Sequence, residues 1–193
     1  PGMVLLSSVC DPYQELEKRY ELTRKVLYVL SKYSDFSVDV LTKSDLILRD
    51  LDIIKKIKNI EVGFSISHFE EEFRRIFEPG APSVERRFKA LETLAKHEVE
   101  TYVFVAPVIP LITDRNVKSI LENAERCNAR YLFFDTLNIK CGNWKPIITA
   151  LENFEPNLVN EFVEIMEKPE IYYQQFKTRI LKEFNSIECS FTF

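Results

Sequence analysis

Glycine is scarce in this sequence, with four residues among 193, so there is no glycine-rich phosphate loop and no GxGxxG fingerprint. Histidine is scarcer still: only His68 and His97 are present. The four cysteines, Cys10, Cys127, Cys141 and Cys189, never stand at CxxC spacing. That pattern argues against a structural zinc site, and no metal ligands are assigned. Basic charge is not in excess. The formal net charge is −4, which gives no general attraction to nucleic acid and leaves only a local basic groove open. Long apolar runs are missing too. The longest, such as Val103 to Ile112, are too short to span a bilayer and carry prolines. No signal or transit sequence is visible, so the expectation is a cytoplasmic protein with reduced thiols.

What is present is the balance of a soluble globular chain, 46% hydrophobic and 29% charged, long enough for one domain with a real core and marginal for two. Short apolar runs alternate with longer amphipathic ones. Strands are expected at Met3 to Val9, Phe36 to Leu41, Glu61 to Ile66, Thr101 to Ala106 and Arg130 to Phe134. Between them, helical spacing covers Glu15 to Tyr33, Ser44 to Lys58, Glu70 to Ile76, Ser83 (as N-cap) to Lys96, and Asn116 to Cys127. Two more helices follow at Glu155 to Glu167 and Ile171 to Phe184, and the tail Ile187 to Phe193 alternates like an edge strand.

Five strand–helix repeats imply a parallel sheet, because parallel neighbours need a crossover of about a dozen residues. The fold class expected is α/β, an open sheet or partial (β/α) barrel of about five parallel strands with C-terminal helices. Residues 1–145 would form the barrel body and 146–193 a helical extension ending in an edge strand.

In such folds ligands bind at the carboxyl ends of the strands. That selects Ser7, Ser8, Cys10 and Asp11; Thr42 and Lys43; Ser65, Ser67 and His68; Ala106 and Pro107; Asp135 and Thr136. Family comparison plays no part in this choice.

At those strand ends stand Ser8-Val9-Cys10-Asp11-Pro12-Tyr13-Gln14, Leu22-Thr23-Arg24, Leu41-Thr42-Lys43-Ser44 and Leu48-Arg49-Asp50. Further along come Phe64-Ser65-Ile66-Ser67, Phe77-Glu78-Pro79-Gly80-Ala81-Pro82-Ser83 with Glu85-Arg86-Arg87, and Val105-Ala106-Pro107-Val108-Ile109-Pro110. In this order, over roughly residues 4 to 115, they resemble the spore photoproduct lyase-like branch of the radical S-adenosylmethionine superfamily.

The resemblance implies a partial (β/α)6 barrel in which a CxxxCxxC loop after the first strand holds a [4Fe–4S] cluster. The first strand here would be the family's second, and none of the four cysteines has the spacing or position to replace that loop. The superfamily's glycine-rich motif after strand five has no clear counterpart.

The resemblance also implies a site. S-adenosylmethionine, or a related nucleoside, would lie against Ser8, Cys10, Lys43, Ser65, Ser67 and Ala106. Lys43 looks like the lysine that meets the cofactor's carboxylate, and Ser65 and Ser67 like hydroxyls near its ribose and amino acid. Cys10 stands where relatives usually carry Thr or Ser.

Each residue also has a plainer reading. Lys43 could cap the Ser44 turn, the serines could close a strand end, and Cys10 could be a small buried thiol. Asp11 could cap the next helix, and Arg24 and Arg49 could pair with Glu21 or Asp50. Glu78 could reach inward from its loop or only position it. A lone His68 is more often structural, and Tyr172, Tyr173, Phe176 and Phe184 at helical spacing more often form core.

Two functional readings stay open. In the first, the chain is the body of a radical S-adenosylmethionine enzyme whose complete domain forms a 5′-deoxyadenosyl radical. The chain alone would then be inactive, for want of cluster ligands. The branch is named for an enzyme that repairs a thymine dimer in DNA, but net charge gives no independent support for a nucleic-acid substrate. In the second reading the chain is a cluster-less module that binds a nucleoside or a protein partner. Under either, the first strand would be an unpaired edge along Val4 to Val9, covered by the C-terminal strand or by the same edge of another copy, giving a homodimer.

Overall fold

A computed structural model describes residues 2–6, 9–33, 35–140 and 142–193. Six strands form one sheet in the order β1 (Gly2–Leu6), β2 (Phe36–Thr42), β3 (Ile60–Ser65), β4 (Glu100–Val108), β5 (Tyr131–Thr136) and β6 (Glu188–Phe191). Every neighbouring pair is parallel. The helices are α1 (Glu17–Tyr20), α2 (Leu22–Leu30), α3 (Leu51–Ile54), α4 (Glu71–Phe77), α5 (Val84–Lys96), α6 (Ile112–Arg126), α7 (Trp144–Phe154), α8 (Val159–Glu167) and α9 (Pro169–Glu183). The expected α/β open sheet with C-terminal helices is what forms, with six parallel strands in place of about five, because the tail joins the sheet in parallel.

Strand alternation divides the sheet into two faces. Val38 and Val40, Val62 and Phe64, Val103 and Val105, and Leu132 and Phe134 point towards the helices and are all buried. With Leu27, Ile54, Leu91, Ile120 and the α9 residues Tyr173, Phe176 and Ile180 they form the main core. Full burial of each large apolar side chain contributes about 1.5–3 kcal/mol. A smaller core of Phe73, Ile109, Ile112, Leu151 and Phe162 lies under α4, α6, α7 and α8.

The opposite face carries stacked aromatic pairs. The Tyr102 and Tyr131 rings lie 4.9 Å apart and Phe104 and Phe133 5.6 Å apart. The Tyr102 hydroxyl donates to Asp39 on β2, and Tyr131 donates to Glu61 on β3, each at 3.0 Å. Both bonds cross an intervening strand, a reach that the curl of the sheet makes available. Gly63 lies beneath the first: a Cβ there would come within 2.2 Å of the Tyr102 ring.

Three local expectations are corrected. Glu15 to Tyr33 is not one helix. Glu21 takes a left-handed conformation (φ 50°), and α2 starts afresh with the Glu17 carboxylate accepting from the N–H groups of Leu22, Thr23 and Arg24. Ser44 to Lys58 is not one α-helix either. Ser44 caps a 3₁₀ segment, Asp45–Asp50, before the single turn of α3. The three-residue repeat of that geometry sends Ile47 and Asp50 inward together, and both are fully buried. The tail does not cover β1: β6 pairs with β5 at the far side of the sheet, so among the described residues β1 has β2 as its sole neighbour. In addition, α7 forms where no helix was expected, with Pro146 tolerated in its first turn. Ser83 caps α5 as expected.

Candidate functional site

The carboxyl ends of β2 to β5 open into a cavity of about 400 Å³, within the ~300–1,000 Å³ range of small-molecule sites. Its wall includes Cys10, Leu41, Lys43, Ser65, Phe104, Ala106, Asp135 and Thr136. Four of the six residues singled out by resemblance therefore face one space. Ser67 is buried and does not line it, and Ser8, like Ser7, lies outside the described residues.

Lys43 is fixed from its backbone outward. Its N–H donates to Asp11 Oδ2 at 2.7 Å, and the Thr42 hydroxyl donates to Asp11 Oδ1 at 2.7 Å. Asp11 also accepts the Tyr13 N–H at 2.8 Å. It caps no helix; it staples the loop after β1 to the end of β2. The Lys43 ammonium lies 3.6 Å from Glu78 Oε1 and caps no turn.

Glu78 is the hub of a buried polar cluster. Its Oε2 meets Arg87 Nη2 at 2.5 Å and lies 3.5 Å from His68 Nε2, in poor alignment for a hydrogen bond. Burial alone would raise the Glu78 carboxyl, but His68, Arg87 and Lys43 outweigh it and hold it at about 2. Fully buried Arg87 spends its other donors on Pro82 O (3.0 Å) and Ser65 O (2.9 Å). It thereby ties the start of α5 to the end of β3. His68 is also fully buried, against the Phe73 ring. The Ser65 hydroxyl donates to Ala106 O at 3.1 Å, bridging β3 to the irregular end of β4.

The remaining motif residues support this wall from behind. Tyr13 donates to Asp50 Oδ2 at 3.0 Å. Asp50 also takes Arg24 and Arg49, each at 2.8 Å. Arg49 reaches Glu17 at 2.9 Å, while Arg24 also takes Asp52. Glu21 is not the partner of either arginine. Burial opposes ionisation of Asp50, yet the two arginines and Tyr13 hold its carboxyl below the ordinary range. On the other side, Asp135 accepts from the Thr192 hydroxyl at 2.6 Å, and the Tyr173 hydroxyl bridges Leu137 N and Val108 O. Tyr173 and Phe176 belong to the core, as their spacing suggested.

Two contributors were not singled out from the sequence. Arg87 stood within a quoted motif, four residues after the capping Ser83, and that spacing points it back towards the loop. Phe104 carried only its place in the strand alternation.

The residues present fit the amino-acid end of S-adenosylmethionine: Lys43 offers a cation for its carboxylate, the Asp11 and Asp135 carboxylates in the same wall suit its ammonium, and the Ser65 hydroxyl lines the same space. They do not fit an iron–sulfur cluster. Among the described residues no three His, Cys, Asp or Glu side chains converge on a metal-sized gap, and Cys10, Cys127 and Cys189 are exposed, buried and half-buried on separate elements. Cys141 lies outside the described residues.

A parallel sheet with a ligand-sized cavity at its carboxyl end defines an α/β domain with a candidate binding site at its strand ends. Residues 7–124 match the family model for the radical SAM superfamily, and the chain belongs to that superfamily. An uncharacterised protein of Methanocaldococcus jannaschii is 40% identical over 139 residues, 72% of this chain and 52% of that protein. One from Mycobacterium tuberculosis is 25% identical over 186 residues, 92% of this chain and 54% of that protein. The chain thus spans about half the length of the curated relatives it matches. Among solved structures, spore photoproduct lyase shares the fold. A mutant with dinucleoside spore photoproduct gives a TM-score of 0.59 at 17% identity, over 80% of this chain and 45% of that one. A second mutant, with bound AdoMet and dinucleoside spore photoproduct, gives 0.58 at 17% identity over the same shares. No helix among the described residues is long and apolar enough to cross a membrane.

Proposed function

We propose that this chain is the cofactor-holding body of a radical S-adenosylmethionine enzyme and that the cavity at the carboxyl ends of β2 to β5 receives S-adenosylmethionine. The observation that carries the reading is the convergence of Cys10, Lys43, Ser65 and Ala106 on one cavity. Lys43 supplies a cation for the ligand's carboxylate, and Ser65 offers hydroxyl lone pairs beyond the bond it gives to Ala106. Phe104 gives the floor an apolar face for the nucleoside. When reduced and cleaved in such enzymes, S-adenosylmethionine supplies a 5′-deoxyadenosyl radical that abstracts hydrogen from a substrate; the contribution of the residues here is to bind, orient and shield. Calorimetric titration tests this reading. Saturable binding of S-adenosylmethionine, lost in Lys43→Met, is the expected result; no heat up to millimolar ligand would overturn it.

The sequence spacing of the cysteines supports a companion reading, that this chain alone ligates no [4Fe–4S] cluster and does not perform the radical reaction. After anaerobic reconstitution with iron and sulfide it should show no broad absorbance near ~400 nm. Stoichiometric four-iron incorporation would sink that part while leaving the cavity assignment standing.

A further inference from the structure

We infer that Glu78 is the positioning residue for Lys43, a buried carboxylate that holds the ammonium at the cavity wall where a ligand's carboxylate can meet it. The inference rests on the reading of the cavity as an S-adenosylmethionine site.

The geometry separates the two oxygens of Glu78. Oε2 faces inward, to Arg87 and His68, while Oε1 faces Lys43. Arg87 is fully buried and its guanidinium is committed to Glu78, Pro82 O and Ser65 O. Setting the imidazole aside, Arg87 and Lys43 are the two cations at the Glu78 carboxylate, and Lys43 is the one cation lining the cavity among the described residues, alongside the Asp11 and Asp135 carboxylates. The Lys43 side chain, 36% exposed, also borders the adjoining space under the 79–82 loop. Its three N–H donors, rather than a net positive charge of the cavity, are what a ligand's carboxylate would meet. The 3.6 Å separation between Nζ and Oε1 is beyond hydrogen-bond range, and among the described residues Nζ donates to no acceptor. The pairing therefore orients the ammonium without consuming its three donors.

The loop is built to keep Glu78 in place. The Ala81 N–H donates back to Glu78 O at 3.1 Å, Gly80 takes a positive φ of 82°, and Arg74 reaches over to Ala81 O at 2.5 Å. Ser83 then caps α5, which returns Arg87 to the same carboxylate. The depressed titration of Glu78 keeps its charge present throughout the neutral range.

The test has two parts. The first needs no ligand: competitive acetylation of the protein at trace reagent, read by mass spectrometry as the labelling of Lys43 relative to exposed Lys25 and Lys89. Glu78→Gln should raise that ratio several-fold, because the ammonium loses its partner. Glu78→Asp, which keeps a charge for Arg87 should Glu78→Gln not fold, should raise it less. An unchanged ratio in a folded variant overturns the inference.

The second part compares S-adenosylmethionine with 5′-methylthioadenosine, which lacks the amino-acid carboxylate. Glu78→Gln should weaken the first about tenfold and leave the second within about twofold. Equal weakening of both would make Glu78 a structural residue only. If neither ligand binds the unaltered protein, the cavity reading fails, and the labelling ratio still decides the relation between Glu78 and Lys43.

Discussion

The backbone N–H of Lys43 donates to the Asp11 carboxylate at 2.7 Å, so the lysine of the cavity wall is held by a residue 32 positions earlier in the chain. The same carboxylate takes the Thr42 hydroxyl and the Tyr13 N–H. Substituting Asp11→Ala leaves a half-buried N–H and a buried hydroxyl without their acceptor. The expected cost is about 2 kcal/mol, read as a lower urea midpoint with unchanged slope. Asp11→Asn, which keeps one carbonyl acceptor, should lose less. Equal losses for the two would mean that the carboxylate's bonds are not what the site depends on.

Asp50 is the second junction. Two arginines and one tyrosine hydroxyl converge on a carboxylate with no exposed side-chain surface. Removing a buried anion from among its partners costs more than an exposed ion pair gives, so Asp50→Ala should destabilise by about 3–5 kcal/mol. Tyr13→Phe, losing one hydrogen bond, should cost about 1 kcal/mol. In a double-mutant cycle the tyrosine change should cost almost nothing once Asp50 is gone. Full additivity would show that the hydroxyl bond contributes nothing.

Gly63 is needed for room rather than for conformation. A methyl group there would meet two Tyr102 ring carbons and the hydroxyl oxygen at 2.2 to 2.6 Å, and the ring is pinned by its stack with Tyr131 and its bond to Asp39. Gly63→Ala should therefore cost at least about 2 kcal/mol. The penalty should largely disappear in a Tyr102→Ala background, where the obstacle is removed. Persistence of the full loss in that background would point to the backbone instead.

These junctions explain which parts of the fold could be read from the chain. The strands were legible because one face is buried against the helices and the other is itself largely apolar and half-buried, which makes runs such as Val103-Phe104-Val105 nearly continuous. The cavity was legible from a general rule about strand ends, and Lys43 and Ser65 fell on it. What escaped was tertiary. Apolar spacing continues smoothly through Glu21, and nothing local announces that Glu17 turns to cap a second helix. The Asp50 residue is polar on an otherwise apolar stripe, and its burial depends on Arg24, 26 residues away. The partner of the tail strand was a choice between two sheet edges. Phe134 and Phe191, stacked 4.9 Å apart, settle it for β5 by packing that only the folded chain displays.

Among the described residues that choice leaves β1 paired with β2 alone, and Met3 and Leu5 are exposed beside backbone groups that find no strand partner there. A second copy presenting the same edge would satisfy both. Sedimentation velocity should show a concentration-dependent dimer, and Leu5→Lys should shift it to monomer. A monomer at all concentrations up to hundreds of micromolar would exclude the pairing.

The floor of the curled sheet carries a pH dependence of definite sign. Burial pushes the Asp39 carboxyl up to about 6; the Tyr102 hydrogen bond opposes this and the nearby Glu61 charge adds to it. An acid whose folded value lies above its ordinary 3.8 keeps its proton in the folded state after the unfolded chain has lost it. Its contribution is therefore complete below about pH 4 and is lost as pH rises through 6. The carboxyl is partly open to solvent, and screening cuts the corresponding stability to on the order of 1–2 kcal/mol. Glu78 runs the other way, with stability present above its ordinary 4.5 and lost as pH falls towards 2, so the whole protein's profile mixes the two. Asp39→Asn isolates the first: the amide can still accept from Tyr102 but cannot ionise. Urea unfolding of both proteins at pH 4, 5, 6 and 7 should show the asparagine variant gaining on the unaltered protein by about 1–2 kcal/mol across that range, because titrating groups that do not interact with Asp39 cancel in the difference. A difference that stays flat with pH would mean that Asp39 ionises in the folded protein as easily as in water.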